Sequence, residues 1–342
     1  MLSFYQGKSV AVTGGASFIG SHLTELLVWH GATVSVIDDL SSGTRENLSD
    51  IWKDIEFFEQ DLRNAEAADK LLSRAEIVFH LAAQHGGRGY IETHPVECMN
   101  NMLLDHVVFQ AAAKGRASKI IHASSACTYP TTLQSSTETL LLLKESDANF
   151  EEPGKAFSDG EYGWSKLMGE LQLRAFYKQY KISGIACRIF TAYGERENES
   201  HAVIALIAKA LKQLDPFPIW GNGLQTRNFT YVQDTVMGLA LSGARLEGFE
   251  TMNIGTDSHH TIMDLLEVIF GHLGWRPKEI ERQLDKPVGV LSRAADVAKS
   301  RKLLAWAPGF SLKEGVTRTI DWYARKKAVG QQDLERLLLE RA

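Results

Sequence analysis

Six short apolar runs recur through the first 190 residues: VAVTG from Val10, TVSVID from Thr33, IEFFEQDL from Ile55, EIVFHLAA from Glu76, KIIHASS from Lys119 and GIACRIF from Gly184. Stretches of helical periodicity separate them, at about Ile19 to Trp29, Ala65 to Leu72, Pro95 to Lys114 and onward from Tyr162. A strand that reads as an unbroken hydrophobic run is buried on both faces, and a parallel sheet with helical crossovers is what covers both. The predicted fold is therefore α/β, a doubly wound parallel sheet. After about Thr191 the alternation fades into a smaller, mixed α/β lobe. The expected division is 1–190 for the sheet domain, with chain returning to it from the second half, 191–330 mainly for the smaller lobe, and 331–342 for a terminal helix whose charges alternate in sign. The polar stretch Thr131 to Gly160 is long for a connection and is expected to cross the substrate cleft.

Composition narrows the partners. A chain of 342 residues with 44% hydrophobic residues and a formal charge of −5 carries no basic stripe for nucleic acid. No apolar stretch has the length of a membrane span, and Met1 to Gly7 lacks the pattern of a leader, so a cytoplasmic protein is expected. Three cysteines, Cys98, Cys127 and Cys187, are odd in number and far apart. That spacing argues against a disulfide framework and against a metal cluster.

Between the first run and the first helix stands VAVTGGASFIGSHL, which sets Gly14, Ser17 and Gly20 where backbone amides at a helix start hold a pyrophosphate. Asp38 ends the second run, placed to accept from a ribose 2′-hydroxyl and to repel a 2′-phosphate, which favours NAD over NADP. Ser17 stands where a third glycine is usual. Further on, Tyr162 and Lys166 lie one helical turn apart and so share a face. The lysine is expected to lower the phenol's pKa, assisted by the nicotinamide's charge, so that Tyr162 serves as a base.

These motifs, together with the strand-end Ser125, DDLSSG from Asp38, HLAA from His80, WGNGLQTRNFTYVQD from Trp220, NIG from Asn253 and a late Arg293, resemble the extended short-chain dehydrogenase/reductase family of nucleotide-sugar epimerases and dehydratases. The resemblance spans about 320 residues. It implies a Rossmann fold, an NAD cofactor, a nucleotide-sugar substrate and a homodimer formed through the helices about Pro95 to Lys114 and Tyr162 to Tyr180. It further implies cofactor contacts from Gly14, Ser17, Phe18, Ile19, Gly20, Asp38, Asp39, Ser42, Gly43, Asp61, Leu62, Leu81, Ala82, Ala83, Asn101, Tyr162 and Lys166. Ser125 and Tyr162 would bond the sugar's 4-hydroxyl, and Arg227 and Arg293 would hold the diphosphate. Thr191 replaces the asparagine usual in that family.

SSACTYP, from Ser124, raises the remaining question. On an extended strand end Ser125 and Cys127 share a side, so Cys127 should face the sugar. Cysteine in this slot resembles the GDP-mannose 3,5-epimerase and GDP-fucose synthase groups within the family, Gly87 and Arg88 in GGRGYI match the first, and the resemblance puts His201 where the second group carries its partner acid and the first a lysine. A ketone at C4 acidifies the hydrogens at C3 and C5, and a thiol and an imidazole on either side of the sugar could invert those centres. Inversion at C4 alone, or oxidation stopping at C4, needs only Ser125, Tyr162 and Lys166; a non-catalytic NAD sensor needs no base. In those cases Cys127 is packing. His85 and the pair His259-His260 have no evident partner and are read as structural or surface groups. The nucleotide is left open, GDP first, with UDP or dTDP as alternatives.

Overall fold

The computed structural model describes residues 2–339; the expected terminal helix is present as far as Leu339, and 340–342 lie outside the described residues. Seven strands form one all-parallel sheet. They are β1 (Ser9–Thr13), β2 (Thr33–Asp38), β3 (Ile55–Glu59), β4 (Ile77–His80), β5 (Lys119–Ser125), β6 (Ser183–Ile189) and β7 (Phe249–Ile254), in the order β7-β6-β5-β4-β1-β2-β3. The helices that connect and cover them are α1 (Phe18–Trp29), α2 (Ala65–Leu72), α3 (Arg88–Thr93), α4 (Pro95–Met99), α5 (Asn101–Lys114) and α6 (Gly160–Tyr180). In the second half come α7 (Ala202–Leu211), α8 (Val232–Arg245), α9 (Ile262–Leu273), α10 (Ala298–Leu304) and α11 (Leu312–Leu339).

Both faces are covered, as the unbroken runs predict. One apolar cluster joins Val10, Val12, Val34 and Val36 to α1 and α8, and a second joins Ala11, Ile37 and Val78 to α2, α5 and α6. The sheet order reverses between β1 and β4, and ligands of such sheets bind beyond the strand C-termini at that point. The first cluster also runs without a break through α7 and α9 by way of Ile204, Phe217 and Leu265, so the mixed lobe shares its core with the sheet. The helix expected over Pro95 to Lys114 is two helices, α4 and α5, which meet at Asn100. No helix among the described residues is long and apolar enough to cross a membrane.

The stretch Thr131 to Gly160 does not cross the cleft. Leu142–Leu143 pairs in parallel with Ala294–Ala295, and Leu143 packs with Tyr129, Phe190 and Val297 beneath the ends of the sheet. A polar network ties this layer down. Arg188 of β6 donates to both carboxylate oxygens of Glu170 on α6 at 2.9 and 2.8 Å, and to the carbonyls of Glu145 and Ala148, each at 2.8 Å. Ser124 donates to the same Glu170 carboxylate at 2.5 Å. Both ends of the ion pair are buried.

Replacing Arg188 with Ala strands the Glu170 carboxylate, and should cost about 3–5 kcal/mol of stability. In urea unfolding the midpoint should fall accordingly, whereas the double change Arg188→Met with Glu170→Leu should restore most of the loss. A parental midpoint for Arg188→Ala would show that the pair carries no stability.

Candidate active site

The turn from β1 into α1 is closed by contact. A Cβ on Gly20 would lie 2.0 Å from the Gly14 carbonyl oxygen, so only a glycine lets the helix start this near the strand end. Ser17 needs no such freedom: its backbone is extended (φ −84°, ψ −176°), and its hydroxyl donates to the Gly14 carbonyl at 2.6 Å. The helix start leaves its first amides toward that groove, the setting for a pyrophosphate.

Gly14, Ser17, Asp38, Asp39, Ser42, Asp61, Leu62, Leu81, Ala82, Ala83 and Asn101 line the groove, and Phe18, Ile19 and Gly20 line the deeper cleft into which it opens. Gly43 lines neither; it backs onto Ala16, where a Cβ would come within 2.8 Å of the carbonyl carbon. Asp38 is buried, and its carboxylate accepts the Ala16 and Leu40 amides at 2.9 Å each. Burial pushes its pKa up and those two bonds oppose the rise. Each oxygen keeps a lone pair for a ribose hydroxyl. Asn101 acts at one remove, its amide paired to the backbone of Gln84 at 2.7 and 3.0 Å. Arg63, which sequence reading missed, also lines the groove and is held by Asp61 through a two-pronged contact. A cradle with a helix start at one end and a buried acid at the other fits a dinucleotide.

The cleft has a volume of about 870 Å³ and gathers residues from both halves of the chain: Gly87, Arg88, Ser125, Cys127, Tyr162, Lys166, Thr191, His201, Arg227 and Arg293. Cys127 reaches it by a route other than the one expected. The strand ends at Ser125, and Ala126–Thr128 turns as a short 3-10 helix, with the Ser125 hydroxyl accepting the Cys127 amide at 3.1 Å. α6 begins against that turn, so close that a Cβ on Gly163 would lie 2.3 Å from the Cys127 carbonyl oxygen. This contact sets Tyr162 beside Ser125 and Cys127.

Electrostatics modifies the expected roles. Burial pushes the Tyr162 phenol up, the Cys127 thiol adds to the rise, and a hydrogen bond with Ser125 opposes it. Lys166, itself pushed down by burial and supported by the Asp105 carboxylate, does not outweigh that desolvation. Arg293 is committed within the protein, to Gln134 at 2.6 Å, to Asp159 at 3.1 Å and to the Cys127 sulfur at 3.3 Å. Asp159 also receives Arg88 at 3.0 Å. Arg227 has no acidic partner among the described residues; its two terminal nitrogens donate to the Thr226 and Val288 carbonyls at 2.7 and 2.8 Å. Burial, then the neighbouring Arg293, push it down to about 9. An arriving dianion relieves that strain on its charge.

Two residues that sequence reading set aside or passed over stand in the cleft. His85 lines both groove and cleft, its ring edge-on to His201 with centroids 6.0 Å apart, and Glu197 lines the cleft beside it. The fold brings His85 in, while Glu197 pairs with His201 four residues later, a local spacing that could have signalled it.

A family model described as the NAD dependent epimerase/dehydratase family matches residues 10–255. The chain is 33% identical over 329 residues to the GDP-mannose 3,5-epimerase of Arabidopsis thaliana, covering 93% of this chain and 82% of that protein. It is 30% identical over 328 residues to a putative UDP-glucose 4-epimerase of Methanocaldococcus jannaschii, covering 92% and 97%. The crystal structure of a UDP-glucose 4-epimerase with UDP-glucose from Thermotoga maritima is similar with a TM-score of 0.83 at 27% identity, covering 93% of this chain and 99% of that one.

Asp38→Ser should narrow the preference for NAD over NADP by roughly tenfold, about 1.4 kcal/mol, because the repulsion of a 2′-phosphate is lost. Fluorescence titration with each dinucleotide measures it, and an unchanged ratio would remove Asp38 as the discriminating group.

Proposed function

Because the chain belongs to the NAD-dependent epimerase/dehydratase family, we propose that it is a nucleotide-sugar epimerase that inverts C3, C5 or both through a transient 4-keto sugar. The observation that carries this reading is the convergence of Cys127, from the turn after β5, and His201, from the start of α7, on the cleft that holds Ser125, Tyr162 and Lys166. NAD, which the groove residues Gly14, Asp38 and Asp61 would hold, would supply a reversible hydride acceptor and a positive ring charge.

Tyr162 takes the proton of the 4-hydroxyl, Ser125 holds that oxygen, and Lys166 steadies the phenolate. The resulting ketone acidifies the neighbouring C–H bonds. Cys127 and His201 then remove a proton from one face and return one to the other, and Arg293, 3.3 Å from the sulfur, compensates the charge of a thiolate formed on the way. Arg227 holds the diphosphate, and Arg88 with Asp159 fixes Arg293 in place. Similarity to GDP-mannose 3,5-epimerases supports a GDP-sugar as substrate.

The second reading, inversion at C4 alone on a UDP-sugar, is favoured by the similarity to UDP-glucose 4-epimerases and leaves Cys127 and His201 without a task. The proposed assembly is a homodimer through α4, α5 and α6, where Val96, Met99, Leu103 and Trp164 are exposed. Free thiols at Cys98, Cys127 and Cys187 support a reducing, cytoplasmic setting.

With GDP-mannose in deuterated water, the parent enzyme should place deuterium at C3 or C5, read by NMR. Cys127→Ser should suppress that incorporation by about 10²-fold or more, the scale of a lost general acid or base, while a transient NADH absorbance persists. Tyr162→Phe should abolish the absorbance. Turnover by the parent enzyme without carbon-bound deuterium would retire inversion at C3 and C5 in favour of C4.

A further inference from the structure

Three glutamates alternate just before α7, and the fold gives each a different partner. Glu195 accepts the Tyr231 hydroxyl at 2.7 and 2.8 Å. Glu199 takes the Tyr323 hydroxyl and the Lys327 ammonium of α11, each at 2.6 Å. Glu197 turns inward instead, and its Oε1 lies 2.8 Å from Nδ1 of His201. Its side chain is 2% exposed.

The rest of that contact is incomplete within the chain. Glu197 Oε2 and His201 Nε2 are both buried without a hydrogen-bond partner. His201 lines the cleft, so the nitrogen left open is the one on the ring's far side from Glu197. The charged and titratable groups about His201 are few: Glu197 and Glu199 on its own segment, His85 from the loop after β4 with Lys166 behind it, and Tyr323 and Lys327 reaching Glu199 from α11. Glu199 is already matched by Lys327.

We propose that Glu197 is a positioning residue that makes His201 a proton carrier: its carboxylate accepts the Nδ1 hydrogen, fixes the tautomer whose Nε2 lone pair faces the substrate, and balances the imidazolium formed when Nε2 takes a proton. This rests on the reading of His201 as one of the two groups that move protons at the sugar. Atoms balance simply. Nε2 gains the proton that a carbon adjacent to the ketone loses, the electron pair stays on the enolate, and the carboxylate keeps its hydrogen bond throughout.

The surroundings agree with that task. Burial pushes the imidazole down, but the hydrogen bond and the charge of Glu197 push it up further, and the net direction is up. His85 is held in the other direction, down to about 3, by burial and by the charges of His201 and Lys166. Its ring therefore stays neutral beside an imidazolium. Removing the Glu197 charge takes away the upward contributions only, so the midpoint of His201 must fall.

The test is an NMR titration of the NAD-bound enzyme with isotope-labelled histidine, His201 being assigned by its loss in His201→Gln. In Glu197→Gln the His201 midpoint should drop by about one pH unit or more, and the nitrogen shifts should show the Nε2-protonated tautomer gaining population. Glu197→Asp should keep part of the raised midpoint. With GDP-mannose in deuterated water, incorporation at C3 or C5 should fall at least about tenfold in Glu197→Gln while the NADH transient is retained. An unmoved midpoint and tautomer in a Glu197→Gln protein of parental near-UV dichroism would overturn Glu197, even if the parent incorporates deuterium. A parent that incorporates none would instead retire His201 as a proton carrier, whatever its titration shows.

Discussion

The buried ion pair between Arg188 and Glu170 is the contact on which the geometry of the cleft depends. It joins β6 to α6, takes in the strand-end Ser124 on β5, and reaches the carbonyls of the 145–148 segment. The guanidinium also lies over Tyr129, 4.9 Å from the ring centroid, and the Tyr129 hydroxyl donates to Asn253 of β7 at 2.5 Å. Desolvating both charges is costly, and it is tolerated because the carboxylate and the guanidinium find several hydrogen bonds of good geometry. What the network confers is register. Ser125 follows Ser124 directly, and Lys166 sits one helical turn before Glu170, so the same contact that locks the sheet to α6 sets the hydroxyl against the phenol and its lysine.

A second layer of charge sits where the mixed lobe meets the sheet. Arg88, Arg227 and Arg293 converge on the cleft, with Asp159 between Arg88 and Arg293 and Glu92 pairing with Arg88 from the same helix, which leaves a net positive charge. Such a surplus costs stability in the free protein and is relieved by a dianionic ligand. The arrangement also divides the work between the arginines. Arg227 is held only by carbonyls, whereas Arg293 is fixed against the sulfur of Cys127, which on the proposed reading ties it to the proton chemistry as much as to the diphosphate.

How much of this was legible in the sequence follows from how local each feature is. The sheet was legible because strands buried on both faces must be written as continuous apolar runs, and the dinucleotide turn because a close strand-to-helix approach leaves only glycine at Gly20. Cys127 lines the cleft, but not through the expected alternation, which cannot foresee that the strand stops at Ser125 and turns. The path of Thr131 to Gly160 was misjudged because Leu142–Leu143 pairs with residues some 150 positions later, and nothing local announces such a partner. His85 was invisible for the same reason, whereas Glu197 stands only four residues before His201 and that spacing was available in the sequence.

That contrast between local and distant residues bears on how one scaffold serves different chemistry. The groups proposed to remove hydrogen from C4 stand on β5 and α6, the two elements that the Arg188–Glu170 network ties together. The groups assigned to C3 and C5 come from the turn after β5 and the start of α7 and are held by separate contacts, Cys127 by Arg293 and His201 by Glu197. Neither contact is part of the network that fixes the sheet. Residues at these positions can therefore change with the Ser125, Tyr162 and Lys166 set left intact, so on the reading proposed above the side chains at Cys127, Glu197 and His201, more than the fold around them, would decide which carbon is inverted.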